Sequence, residues 1–322
     1  MTWLHRYTVG LAAATLLLIA AGGMVTSTNS GLSVPDWPTT YGYNMFTFPL
    51  SKMVGGIFYE HGHRLIASVV GLLTIGLVVL LWRVERRRWV RRLGAIALGV
   101  VVVQGALGGI TVLFFLPDAI SIAHAGLAQI FFCLTVALAL VTSRGWRAPA
   151  APPVDDARLR RLAVTLTAVI FVQILLGATM RHTGAGMAIP DFPYSFGHLL
   201  PPAWPAPVAL HFAHRAGAAV VTVLAIALAI YVGRRHAGRR ELSRPVWVLL
   251  SAIAVQVTLG AYVIWTARHE AINTLHVATG ALVLVTSLVV SLRAYQARIA
   301  AAASAARREA SAFAQTPRTV TR

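Results

Sequence analysis

The sequence predicts an all-α integral membrane protein, with eight transmembrane helices arranged as two tandem four-helix bundles in a parallel repeat. Three observations carry that prediction. The first is composition: of 322 residues, 57% are hydrophobic and only 12% charged, whereas soluble domains run at about 25% charged. A disordered chain, a collagen-like fibre and an ordinary cytosolic enzyme are excluded. The second is the length of the apolar runs, each near the roughly 20 residues that cross a bilayer. The third is an internal duplication of loops and polar positions.

In chain order, the apolar segments lie near 8–27, 57–82, 93–115, 119–142, 160–180, 209–233, 245–266 and 270–292. The first has the look of a signal peptide, with Arg6 ahead of an apolar core. It is long enough to span and lacks a clear small-residue cleavage site before the next loop, so it is expected to persist as a helix.

Orientation follows from the arginines. The connections 83–92, 143–161 and 233–244 carry six, five and five; the tail from Arg293 carries six more, and Arg6 adds one. The positive-inside rule makes that side, shared by both termini, cytoplasmic. The net charge of +18 is thereby explained by topology, and nucleic acid is not expected as a partner. The other face holds two long loops, 28–56 and 181–208, and two short ones at Pro117–Asp118 and Ala267–His269. The protein is expected in the cell (inner) membrane.

The duplication is explicit. Gly31-Leu-Ser-Val-Pro-Asp-Trp-Pro-Thr-Thr-Tyr-Gly42 aligns without a gap on Gly186-Met-Ala-Ile-Pro-Asp-Phe-Pro-Tyr-Ser-Phe-Gly197, with five identities. His63-Arg64 matches His214-Arg215, Gln104-x-x-Leu-Gly108 matches Gln256-x-x-Leu-Gly260, and His124 matches His276. Four helices per unit, an even number, give both units the same orientation. The expected organisation is a first bundle over 1–147, a cytoplasmic linker at 148–157, a second bundle over 158–295 and a weakly helical or disordered tail over 296–322. Gly105 and Gly109, spaced GxxxG, are expected to let helices approach closely.

His63, His124, His214 and His276 each fall one to two turns inside the outer end of an even-numbered segment, 61 and 62 residues apart within the halves. Two imidazoles facing each other across a bundle offer two axial ligands to a haem iron. Two repeats therefore point to two bis-histidine haem pockets near the outer face. The plainer alternative is a polar residue that only hydrogen-bonds a neighbouring helix. Cys133 is the sole cysteine, so neither an intramolecular disulfide nor a thiolate-built cluster is available.

Several neighbours complete the site. His61 lies two residues from His63, about 200° around a helix, so only one can face the core, and the repeat selects His63. Glu60 sits three residues before His63, on the same face, and its repeat counterpart is His211, read as pocket lining or a donor beside the ligands. A carboxylate there can relay protons or stabilise developing positive charge; alternatively it is an interfacial glutamate. This asymmetry places chemistry in the amino-terminal half and electron transfer in the carboxy-terminal half. Arg64 and Arg215 are candidates for pairing with haem propionates, or for reaching to the headgroups. Asp36 and Asp191 serve turn geometry in loops that cap the pockets. His5, His182, His198, His236 and His269 are expected as solvated surface residues.

Taken together, Glu60-x-x-His63-Arg64, His124, His214-Arg215 and His276, on a duplicated unit with a Gly-Leu-x-x-Pro-Asp-Trp-Pro loop, resemble the haem A synthase family over nearly all of residues 5–295. The resemblance implies an oxidoreductase that converts the methyl group of haem O to the formyl group of haem A by two hydroxylations, for cytochrome oxidase biogenesis. It implies haem b as cofactor on His214 and His276, substrate haem O on His63 and His124, and a need for Glu60. It further implies delivery by the enzyme that makes haem O, and assembly factors of cytochrome oxidase as partners. Some members carry a cysteine pair in the outer loops; this sequence resembles the subgroup without it. Two other classes compete: a di-haem b carrier that oxidises quinol without altering its haems, and a transporter.

Overall fold

A computed structural model gives the fold and describes residues 3–149 and 151–315. Its eight long helices are α1 (Trp3–Ser27), α2 (Gly56–Val84), α3 (Arg88–Leu113), α4 (Asp118–Thr142), α5 (Ala157–His182), α6 (Ala206–Arg235), α7 (Arg240–Trp265) and α8 (Glu270–Gln315), with one further helical turn at Arg144–Arg147. All eight are long and apolar enough to cross a membrane. They outrun the apolar segments at their arginine-rich ends: α3 starts at Arg88 and α7 at Arg240. Arginines in a terminal turn can reach water while the backbone stays helical, so hydropathy marks the hydrocarbon-depth part only.

Packing divides into two rings. In the first, α1 packs on α2 and α4, and α3 on α2 and α4; in the second, α5 packs on α6 and α8, and α7 on α6 and α8. Diagonal helices (α2 with α4, α6 with α8) make none of the principal contacts, so their inward faces look at one another across each ring. Leu4, Leu11, Val70, Leu77, Leu81, Phe131 and Leu138 fill the first core; Leu159, Leu166, Leu228, Leu242, Leu249 and Leu284 fill the second. The rings meet through α1, α4, α5 and α8, where Ile19, Phe132, Ala281 and Val285 form a third cluster. Large apolar side chains point outward, among them Leu72, Ile75, Val102, Val223 and Trp247, as a lipid-facing surface requires.

The arginine-rich side is ordered by acidic residues. Asp156 caps α5, accepting from the N–H groups of Arg158 and Leu159, and also binds Tyr231 and His236 at 2.9 Å. Burial works against its charge, but these bonds hold its carboxyl down at about 2. His236 is thus engaged rather than solvated, and His5 lies 3.0 Å from the carbonyl of Ala139. Both differ from the surface role expected of them, because their partners are distant in sequence.

The tail from 296 is expected to be weakly helical or disordered, and here α8 continues to Gln315. The segment after Tyr295 is dominated by alanine, the strongest helix former, and simply prolongs the spanning helix. Residues 316–322 of the expected tail lie outside the described residues.

Candidate functional site

Both long loops are folded by the same device. Asp36 accepts from Thr39 Oγ1, Tyr41 N and Gly42 N at 2.5–2.9 Å; Asp191 accepts from Phe196 N and Gly197 N at 2.7 Å. Tyr41–Gly42 and Phe196–Gly197 all have φ between +49° and +79°, which glycine adopts without penalty. Burial opposes the charge of Asp36, but the bonds from Gly42, Thr39 and Tyr41 keep its carboxyl below the usual range. The Gly197 N–H does the same for Asp191.

The loops are then pinned to the helices that carry the histidines. Arg64 donates Nη1 to the carbonyls of Asp36 and Thr39, and Nη2 to Val34 O at 2.7 Å and Glu60 Oε1 at 2.6 Å. Arg215 donates to the carbonyls of Tyr194, Ile189 and Asp191 and lies over the Phe192 ring. Both guanidinium groups therefore spend their Nη atoms on loop carbonyls. Glu60, 4% exposed, accepts from Val34 N through its other oxygen at 2.7 Å. His211, 3% exposed, accepts from Ile189 N at 3.1 Å through Nδ1. His61 is fully inside as well, bonded to Thr40 Oγ1 at 3.0 Å and packed on Phe48. It faces the loop while His63 faces the ring interior.

The four histidines are paired by half. His63 on α2 and His124 on α4 are within electrostatic reach of each other, as are His214 on α6 and His276 on α8. Each ring lies against a glycine of the neighbouring helix. A Cβ built at Gly22, Gly108, Gly177 or Gly260 would stand 3.0, 3.1, 2.9 or 3.2 Å from Cε1 of His63, His124, His214 or His276 respectively. Three of those glycines follow, by one turn, a glutamine that touches the same histidine. Gln104 Nε2 lies 3.3 Å from His124 Nε2, Gln173 Nε2 3.1 Å from His214 Nδ1, and Gln256 Nε2 3.3 Å from His276 Nε2.

These residues fit a haem. Nδ1 of His63, His124 and His276 and Oε1 of Gln104, Gln173 and Gln256 are buried without a hydrogen-bond partner, and each such atom costs about 1–3 kcal/mol unless something completes it. No group of three or more His, Cys, Asp or Glu gathers among the described residues. An ion held by two neutral imidazoles must bring the rest of its coordination sphere with it, as a haem iron does.

Sequence reasoning singled out the four histidines, Glu60, His211 and both arginines, which the structure places along the two rings and their loops, but not Gln173, Gly22 or Gly177. The Leu-Gly repeat held the clue for Gly108 and Gly260. The predicted close approach at Gly105 and Gly109 falls differently: Gly105 faces open space, while Gly109 receives the Trp37 ring of the loop. His182, expected at the surface, is half-buried at the end of α5, close to His124 and Asp118.

Comparison with known families decides the assignment. Residues 5–289 match the family described as cytochrome oxidase assembly protein, COX15-CtaA. The chain belongs to that family. Among curated relatives, it is similar to "Heme A synthase" of Symbiobacterium thermophilum, 33% identical over 270 residues that cover 81% of this chain and 85% of that protein. It is also similar to "Heme A synthase" of Shouchella clausii, 27% identical over 262 residues (80% and 83% covered). A third, "Heme A synthase" of Chelativorans sp., is 29% identical over 298 residues, 80% of each chain. The matched span contains the four paired histidines, the three glutamines that touch them and the four glycines against their rings.

Proposed function

We propose that this protein is a haem A synthase: a membrane oxidoreductase that takes haem O as substrate and oxidises its methyl group to a formyl group. The observation that carries the reading is the diagonal histidine pair in each ring, with buried nitrogens lacking partners, in a chain of this family. The substrate is assigned to His63 and His124, beside Glu60. A resident haem b is assigned to His214 and His276, where it would supply one-electron transfer, the chemistry suited to an iron with two histidine ligands.

The chain's own residues divide the remaining work. The Pro-Asp-aromatic loops, locked by Asp36 and Asp191 and tied down by Arg64 and Arg215, exclude water from the pocket mouths. Glu60 is the acid–base group of the substrate half. Both its oxygens are engaged, by Arg64 and by the Val34 N–H, so proton uptake, which makes the carboxyl a poorer acceptor, weakens those bonds. That couples proton movement to the loop above the pocket. His211, at the matched position, keeps the loop bond but brings no carboxylate. The arginine-rich ends of the helices are assigned to the cytoplasm and the histidine sites to the outer half of the membrane.

The test is direct. Protein purified in detergent from cells that make haem O is extracted, and its non-covalent haems are identified by chromatography and mass. Haem b together with haem O, its hydroxylated form or haem A supports the reading, and His214→Ala should remove haem b selectively while His63→Ala removes the others. Haem b alone, unchanged in the presence of haem O, makes the protein an electron carrier. Protein without haem overturns both.

A further inference from the structure

The propionates of a haem stay charged and call for cations, and the two arginines first suited to them are spent. Arg64 and Arg215 give their Nη atoms to loop carbonyls. Two other arginines stand over the second ring. Arg181 lies one turn beyond Gly177, the glycine against His214, on the loop side of α5. Arg268 sits in the turn between α7 and α8, where Ala267 and Arg268 have φ of +50° and +67°. Arg181 is within electrostatic reach of both Arg268 and His276.

Neither arginine is matched by an acid. Among the described residues, no ion pair involves Arg181 or Arg268. Both are half-buried, and Arg181 bonds through Nη2, to Ser27 Oγ at 3.0 Å and the Gly23 carbonyl at 3.4 Å. Like charges drawn together out of water are costly unless an anion joins them. The first ring has the same backbone without the charges. Thr26 takes the place of Arg181, one turn beyond Gly22, and its Oγ1 turns back to the Gly22 and Gly23 carbonyls. Leu116 takes the place of Arg268, in a turn where Phe115 and Leu116 have φ of +58° and +59°.

We propose that Arg181 and Arg268 form a propionate-binding site for the haem of the second ring, a site that the first ring does not repeat. A planar guanidinium pairs with a carboxylate through parallel charged bonds, and a pair of them answers the charge that a haem brings to this face. The assignment rests on the haem reading above and adds what separates the two similar rings. Cations beside an iron centre favour its reduced form, which carries one positive charge fewer. The second ring is thereby the more easily reduced, the direction in which electrons leave the substrate half.

The experiment uses full-length, haem-loaded protein in detergent and reads haem b loss to excess apomyoglobin together with the midpoint potential. Arg181→Gln and Arg268→Gln should each speed haem b loss by about 10-fold or more, the worth of bonds to a charged group, and lower its potential. Arg181→Lys keeps the charge and should retain most of the potential. Parent protein reloaded with haem b dimethyl ester, which lacks the carboxylates, should lose it faster than haem b. The variant with both arginines changed to glutamine should lose haem b and its ester alike. Loss and potential unaltered in both single glutamine variants overturn the proposal. So does an equal effect of the variants on haem b and on its ester, which marks damage to the ring and not a lost carboxylate pair. Loss of co-purifying anionic phospholipid from the variants, with haem b loss unmoved, assigns the arginines to lipid headgroups and overturns it too. Parent protein that never carries haem overturns the haem assignment itself.

Discussion

Glu60 and His211 accept the same hydrogen bond. Glu60 Oε2 takes the N–H of Val34 and His211 Nδ1 takes that of Ile189, each two residues before the matched aspartate of its loop. The position is therefore a loop anchor in both halves, and only in the first is it also a carboxylate. An effect of removing Glu60 would be ambiguous without a substitution that keeps the anchor.

Glu60→Gln and Glu60→His supply it, since both retain an acceptor for Val34. With the loop held, each should still bind both haems, while conversion of haem O falls by about 10²–10⁴-fold, the range of a lost acid–base group. Glu60→Ala should lose haem O binding as well. The check is the extracted haem composition of each variant, and full haem A production by Glu60→Gln would remove the assigned role.

What the sequence made legible follows from what repeats along it. Apolar runs, the arginine bias, the duplicated loop and the four histidines are visible as period and spacing. The site's supporting contacts are not. Gln173 aligns with a leucine in the other half, so no repeat could reveal it, and its distance of 41 residues from His214 has no local signature. Arg64 looked available to an anionic ligand because three of its partners, the carbonyls of Val34, Asp36 and Thr39, are main-chain atoms that a sequence does not display, although the fourth, Glu60 one turn earlier, is an i,i+4 pair that it does. The helical prolongation to Gln315 was legible only as one of two alternatives, because loss of hydropathy does not separate a solvated alanine-rich helix from a disordered segment.

The glycine faces give a second prediction. Gly177→Val would press a side chain against His214, and Gly108→Val against His124. Overpacking of this kind costs about 1–3 kcal/mol, too little to unfold the ring but enough to displace an imidazole. Gly177→Val should lower haem b content with haem O retained, and Gly108→Val the reverse. Circular dichroism on the same samples should show unchanged helix.

On the arginine-rich side, Glu85 is 4% exposed and bonded to Arg87 and Arg147 at 2.8 Å. Burial works against its charge, but Arg87, with Arg147, outweighs it and holds the carboxyl below its ordinary range. A depressed carboxyl stabilises the fold above its unfolded value, about 4.3, and that contribution is lost as the pH falls through the folded value. Thermal stability should therefore drop on acidification below about pH 4.3, and less steeply in Glu85→Gln. At neutral pH that variant should be less stable than the parent, by roughly 1.5–3 kcal/mol for weakened bonds to a charged group. A thermal-shift series from pH 7 to 3 in detergent distinguishes the two curves.

The junction between the rings turns on Ser27. Its Oγ receives Arg181 Nη2 from α5 at 3.0 Å and Asn273 Nδ2 from α8 at 3.3 Å, and lies 3.2 Å from Thr274 Oγ1. One hydroxyl of the first ring thus collects three polar groups of the second, where the lipid offers no replacement partner. Ser27→Ala takes the acceptor from Asn273 Nδ2 and leaves Arg181 Nη2 the Gly23 carbonyl at 3.4 Å, at about 1–3 kcal/mol for a buried donor left unpaired. Ser27→Thr keeps the oxygen. Alanine should lower the melting temperature of the haem-loaded protein and the threonine variant should restore most of it, with haem composition the same in both. If alanine melts like the parent, the rings are held together by the apolar seam of Ile19, Phe132, Ala281 and Val285 and not by this hydroxyl.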